Sequence, residues 1–188
     1  MKNIFIGGVA KSGKSTLSKI ICKDKNYNHI PIDYFTSSLK HNFPDLKITS
    51  NVVIDEVSSK KLSLLLSRVI DIINNTDELF IIDSAHILPE DIDKYLDRDK
   101  WDVYFLGYPN TTPKGKFNEI RKYETCNDWT RKRSDDELIN TLDSLIKLSK
   151  KIENDCNNLN IEFIDTSYEL KDKINSIDLE KSGEKAKI

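Results

Sequence analysis

At 188 residues the chain has the length of one domain, enough to bury about 70 % of the surface that its unfolded form exposes. A charged fraction of 32 % beside a hydrophobic fraction of 38 % describes a well-solvated surface, and no apolar run approaches the ~18 residues of a membrane span, which argues against a membrane protein. A net charge of −2 argues against broad nucleic-acid binding, and the three cysteines, widely spaced and without a C-x-x-C pair, suit reduced thiols in the cytoplasm.

The chain opens on a short apolar run, residues 2–7, that leads directly into glycines and then into a segment where Leu17, Ile20 and Ile21 recur at helical spacing. This reads as strand, loop and helix, and the direct entry into the loop sets the run apart from a signal peptide. Residues 29–32 predict a second strand ending at Asp33, with Pro31 marking a sheet edge because proline cannot donate to a ladder. Residues 34–55 mix Tyr34, Phe35, Phe43 and Pro44 with polar residues, and predict a short helix and an irregular connection beside a substrate pocket. Between 56 and 74 the apolar positions Leu62, Leu65, Leu66, Val69, Ile70 and Ile73 follow the helical period, with Ser58 or Ser59 as the cap.

Residues 78–83 form a near-continuous apolar run that closes on Asp83, as expected of a central strand covered on both faces. Pro89 starts a helix with Ile92, Tyr95 and Leu96 on one side, and residues 101–106 predict a fourth strand before Gly107-Tyr108-Pro109. Residues 110–134 show no sustained periodicity and predict a long connection, of a length that is uncommon unless it is functional or disordered. Seven basic residues there, among them Arg121, Arg131 and Arg133, face three acids, Glu119, Glu124 and Asp128, a local excess that suits an anionic ligand. A capping box, Ser134-x-x-Glu137, opens the longest helix, with Leu138, Leu142, Leu145, Ile146, Leu148 and Ile152 on its apolar side. Residues 160–165 predict a fifth strand, 168–177 a last helix, and 179–188 a polar disordered tail. Five strands separated by helices predict a single α/β domain over residues 1–178 with a mainly parallel sheet, whose ligands gather at the carboxyl ends of the strands.

Between the first strand and the first helix, Gly8, Gly13, Lys14 and Ser15 satisfy the pattern G-x-x-x-x-G-K-[ST]. Glycines let the backbone bend around a phosphate, successive N–H groups form an anion cradle, and the helix that follows turns its positive end toward the ligand. The nucleotide-binding set is then Gly8, Val9, Ala10, Lys11, Ser12, Gly13, Lys14, Ser15 and Thr16, with Lys14 reaching the β- and γ-phosphates and the Ser15 hydroxyl binding magnesium.

With these residues the sequence resembles the P-loop kinases, the group of small-molecule phosphotransferases and nucleoside and nucleotide kinases. The resemblance runs from the loop at residues 8–15 through Asp33 after the second strand, Asp83 after the third, the basic segment after the fourth, and Asp165-Thr166-Ser167 after the fifth. It implies a P-loop NTPase three-layer sandwich with sheet order 2-3-1-4-5, a lid at about 110–134, and transfer of the γ-phosphoryl group of ATP to a small acceptor. In kinases of this kind an acid at the place of Asp33 serves the acceptor hydroxyl, a carboxylate at the place of Asp83 holds magnesium, and lid arginines, here Arg121, Arg131 or Arg133, meet the phosphoryl group in flight. Ser84-Ala85-His86 resembles the Gly-Val-His that follows a glutamate in some phosphoglycerate-type kinases, but here the acid is aspartate and the glycine is absent, so His86 reads as a supporting histidine. Trp129 suits either base stacking or packing of the lid. A GTPase carries an Asn-Lys-x-Asp base reader, which this sequence lacks, and ATP is therefore the expected donor. The expectation is a cytoplasmic ATP- and magnesium-dependent kinase acting on a hydroxyl or phosphate of a small molecule. The alternative is a P-loop ATPase or nucleotide switch, in which water takes the phosphoryl group and a protein partner reads the state.

Overall fold

Strand residues alternate between two faces, and in this chain both sides of the alternation are apolar, so the strands assemble into a sheet that is covered twice. A computed structural model describes residues 1–168; the expected last helix, from 169 on, and the tail at 179–188 lie outside the described residues. The strands β1 (Asn3–Gly8), β2 (Asn28–Pro31), β3 (Phe80–Asp83), β4 (Trp101–Gly107) and β5 (Glu162–Asp165) pair in parallel in the order β2-β3-β1-β4-β5. The helices are α1 (Lys14–Asp24), α2 (Ile32–Asn42), α3 (Glu56–Ile73), the single turn α4 (Pro89–Ile92), α5 (Pro113–Tyr123) and α6 (Asp135–Leu159).

On one face Ile4 and Ile6 of β1, Ile81 of β3, Tyr104 and Leu106 of β4 and Ile164 of β5 pack against Leu17 and Ile21 of α1. The intervening residues, Phe5, Ile82, Val103 and Phe105, point the other way and meet Leu62, Leu66 and Ile70 of α3 and Leu138, Leu142 and Leu145 of α6. This is the expected three-layer sandwich. Each of these fully buried Leu, Ile and Phe side chains adds about 1.5–3 kcal/mol over leaving it in water. The chain crosses from strand to helix at the carboxyl edge of the sheet, where Gly8, Pro31, Asp83, Gly107 and Asp165 all end their strands.

Three local expectations need correction. The second strand stops at Pro31, whose extended backbone serves as the N-cap of α2, so Ile32 and Asp33 lie in the first helical turn and not at the strand end. Asp55 caps α3 in place of a serine, accepting from the amides of Val57 and Ser58 at 3.2 and 3.1 Å. Ser58 and Ser59 are buried within the helix, where their hydroxyls accept from the amides of Thr49 and Leu88 at 2.8 Å each. Finally, residues 110–134 are not an irregular connection. Thr112 accepts from the Gly115 amide at 3.1 Å and Pro113 occupies the first turn, which together start α5; a 3-10 turn at Trp129–Lys132 follows. The buried face of α5 is Lys116, Phe117 and Ile120, and because one of those three is a lysine the helical period is hidden in the sequence. The capping box of α6 forms as its spacing predicts, with the Ser134 hydroxyl and the Glu137 side chain each satisfying the other's backbone amide.

Candidate active site

The turn from β1 to α1 is shaped by backbone torsions that few residues tolerate. Gly8 has φ of +126° and lies so close to β4 that a Cβ there would sit 2.0 Å from the Leu106 carbonyl oxygen. Gly13, at +95°, is the N-cap of α1, and Lys11 takes the left-handed region at +62° without being a glycine. The inside of the loop is tied by its own side chains. The Ser12 hydroxyl and the Lys14 ammonium both donate to the Val9 carbonyl, at 2.8 and 2.7 Å, and the Tyr108 hydroxyl donates to the Ala10 carbonyl at 2.9 Å. No side chain caps the start of α1 and no acid lies in its first turn, so its amides and positive end face the space where Ser15 and Thr16 are exposed.

Lys14 is buried, and burial pushes its ammonium below the usual lysine range while the carboxylates of Asp33 and Asp83 push back. The two acids reach it from different elements. Asp83 ends β3, and because Ile81 faces α1, Asp83 two residues later does too. It is 3 % exposed; its Oδ2 accepts from the Ser18 hydroxyl of α1 at 3.2 Å and lies 3.1 Å from Nε2 of His29 on β2. Asp33, in the first turn of α2, accepts from the Ala85 amide at 3.2 Å and keeps its side chain 49 % exposed. His86, just past Asp83, turns back so that Nε2 is 3.8 Å from Asp33 Oδ1. Burial lowers the His86 pKa, Asp33 raises it and Lys14 lowers it further, with a net effect below the ordinary histidine value.

The basic segment behaves differently from its composition. Arg121 holds Glu124 at 3.1 Å and Asp135 at 2.8 Å; Arg131 Nε is 3.6 Å from Glu124. Arg133 donates to the Thr141 hydroxyl at 2.9 Å and lies over the Trp129 ring at 5.3 Å, while Trp129 packs on the core. One side chain of the segment that reaches the loop at residues 8–15 is an acid: Asp128 bonds the Lys11 ammonium and accepts from the Thr125 amide at 3.0 Å. Burial works to raise the Asp128 carboxyl, but Lys11 and the Thr125 amide together hold it below the usual carboxylate range.

Comparison with solved structures then bears on the whole arrangement. The chain superposes on a shikimate kinase from Bacteroides thetaiotaomicron with a TM-score of 0.56 at 14 % identity, covering 93 % of this chain and 94 % of that one. It superposes on a gluconokinase from Sinorhizobium meliloti 1021 with a TM-score of 0.56 at 14 % identity, covering 93 % and 87 %. The chain has the fold of these two kinases. No family model matches it, and no curated protein matches it in sequence.

Within this fold the structure brings Lys14, Asp33 and Asp83 together at the carboxyl edge and engages Arg121, Arg131 and Arg133 with partners on their own segment and α6. Sequence reasoning missed His29 and Ser18, which flank Asp83. For His29 the observed register accounts for the placement: with β2 beside β3 and Pro31 opposite Asp83, His29 pairs with Ile81 and shares its face with Asp83, whereas no local signal points to Ser18. The donor set suits a nucleotide and magnesium. A loop whose glycine cannot carry a Cβ, an uncapped helix start, an exposed hydroxyl at Ser15 and a carboxylate at Asp83 are groups that would offer amides to a phosphate and hard oxygen to a cation. Among the described residues no three His, Cys, Asp or Glu side chains converge to hold a metal alone, so a cation at this site would need further oxygen donors from its ligand or from water. No helix among the described residues is long and apolar enough to cross a membrane.

Proposed function

We propose that the protein is an ATP-dependent kinase that transfers the γ-phosphoryl group to a hydroxyl or phosphate of a small molecule. The observation that carries the reading is the meeting of the loop lysine with two carboxylates of unlike environment: Asp83 is buried and held by Ser18 and His29, whereas Asp33 is half exposed at the mouth. Unlike environments suit unlike tasks. Asp33, open on one side and oriented by the Ala85 amide, takes the proton of an acceptor hydroxyl at its carboxylate. His86, its pKa lowered because burial and Lys14 outweigh Asp33, places no added cation beside that carboxylate at neutral pH. The Lys14 ammonium exchanges the Val9 carbonyl for phosphate oxygens and offsets the charge that spreads over them during transfer. Ser15 and Asp83 are the residues that would hold magnesium, whose chemistry is to neutralise phosphate charge and align the donor.

The direct test is ATP consumption against a panel of small hydroxyl and phosphate acceptors, wild type beside Lys14→Ala. Loss of one preorganised cation of this kind lowers turnover by about a hundredfold or more. A folded Lys14→Ala protein that binds and turns over ATP as the wild type does refutes the assignment.

A further inference from the structure

The basic segment meets the phosphate loop with the wrong sign of charge for a phosphate-binding lid. Its arginines are taken up internally: Arg121 by Glu124 and Asp135, Arg131 by Glu124, Arg133 by Thr141 and the face of Trp129. What it extends to the loop is the Asp128 carboxylate, which bonds the ammonium of Lys11. Lys11 occupies the loop itself, three residues before Lys14, at a left-handed φ of +62°. A carboxylate ion-paired there stands beside the cradle in which a triphosphate would place several negative charges, and like charges at such separations oppose one another.

We propose that Asp128 is an internal anion that occupies Lys11 in the nucleotide-free protein and yields it to nucleotide phosphate, so that Asp128 sets the affinity of the site for ATP. This rests on the reading of residues 8–16 as a nucleotide-binding loop. The pair is built to be exchanged. Both partners are 22 % exposed on their side chains, in the range where water and competing ions reach an ion pair. A phosphate group offers the same ammonium more charge and more acceptor oxygens than one carboxylate does. The anchor of Asp128 is local, since its other oxygen accepts from the Thr125 amide three residues earlier, so carboxylate and turn leave together without unpacking α5.

The inference has a direction that damage does not imitate. If the pair keeps about nine-tenths of the molecules in the Asp128-bound state, apparent affinity is about tenfold below its intrinsic value, and removing the carboxylate restores it. Isothermal titration with Mg-ATP is therefore expected to show Asp128→Asn binding about tenfold more tightly than wild type, and Lys11→Met abolishing that gain when the two changes are combined. Equal or weaker binding by Asp128→Asn overturns the proposal, because the pair then persists in the bound state or serves only as a strut. Should the variant fail to fold, a crystal structure of the wild type with a non-hydrolysable ATP analogue decides the matter: an open Lys11–Asp128 pair supports the proposal and an intact one refutes it. Wild type that binds ATP while Asp128→Asn shows no gain defeats this inference alone. Binding by neither protein defeats the nucleotide-loop reading, and this inference with it.

Discussion

Asp33 stands where two structural duties meet. A carboxylate in the first turn of a helix is favoured by the helix dipole, and the Ala85 amide gives it a second reason to be there, so its presence alone is no proof of chemistry. What separates the duties is substitution by its amide. Asn in that turn keeps the shape and accepts the Ala85 hydrogen bond, but does not take a proton from an acceptor hydroxyl. Asp33→Asn is therefore expected to bind ATP as the wild type does and to lose about a hundredfold or more in turnover, the usual range for a general base. Turnover within about tenfold of wild type, a barrier change of ~1.4 kcal/mol or less, makes Asp33 structural. At this scale the loop was legible because its backbone imposes identities: Gly8 has no room for a Cβ and Gly13 caps a helix with φ of +95°. His29 and Ser18 were not legible, since neither residue type is required by its own strand or helix. Each becomes a site residue through Asp83, which lies 54 positions from His29 and 65 from Ser18 along the chain.

At the scale of elements, local signals were read well where the buried face is apolar and poorly where it is not. The helices α3 and α6 declare themselves through leucines and isoleucines at helical spacing, and α6 also through its capping box. In α5 the most buried side chain is Lys116, 1 % exposed, with its ammonium 3.1 Å from both Glu119 oxygens and 4.5 Å from the centre of the Tyr108 ring. Burial lowers its pKa, Glu119 counters this, and Lys11 adds to the lowering. A charge placed there contradicts the pattern that marks a helix, and composition then suggests a solvated loop. What remains to start α5 is its cap. Thr112→Ala leaves the Gly115 amide without its acceptor and is expected to cost about 1 kcal/mol, a fall of roughly 2–4 °C in Tm for a chain of this size. Urea unfolding should show a lower midpoint with an unchanged m-value; an unchanged midpoint means that packing by Phe117 and Ile120 alone fixes the helix.

For the whole molecule, the question is which part moves when a nucleotide arrives, and the fold divides the candidate lid into unequal halves. The first half, α5, buries Lys116, Phe117 and Ile120 and touches the loop indirectly, through Tyr108, whose hydroxyl bonds the Ala10 carbonyl and whose ring lies beneath Lys116. Burial drives the Tyr108 hydroxyl pKa upward, which favours its protonated, donating form at that carbonyl. The second half, residues 124–133, is anchored at its 3-10 turn by Trp129 and the buried Thr130, while its ion-paired side chains and the turn at 125–128 are the kind of structure that opens at low free-energy cost. A lid that closes as a unit from 110 to 134 is therefore not what this structure leads one to expect. Hydrogen exchange with and without a non-hydrolysable ATP analogue should leave α5 unchanged and slow the amides of residues 124–133 by about tenfold or more, as arginines released from Glu124 find phosphate partners. Acceptor-free ATP hydrolysis, measured on the same protein, should stay slow, because closure over the site excludes water while leaving Asp33 for the acceptor. Exchange that does not respond in 124–133, together with brisk hydrolysis that no small molecule diverts, would instead mark a P-loop ATPase or switch whose state is read by a partner protein.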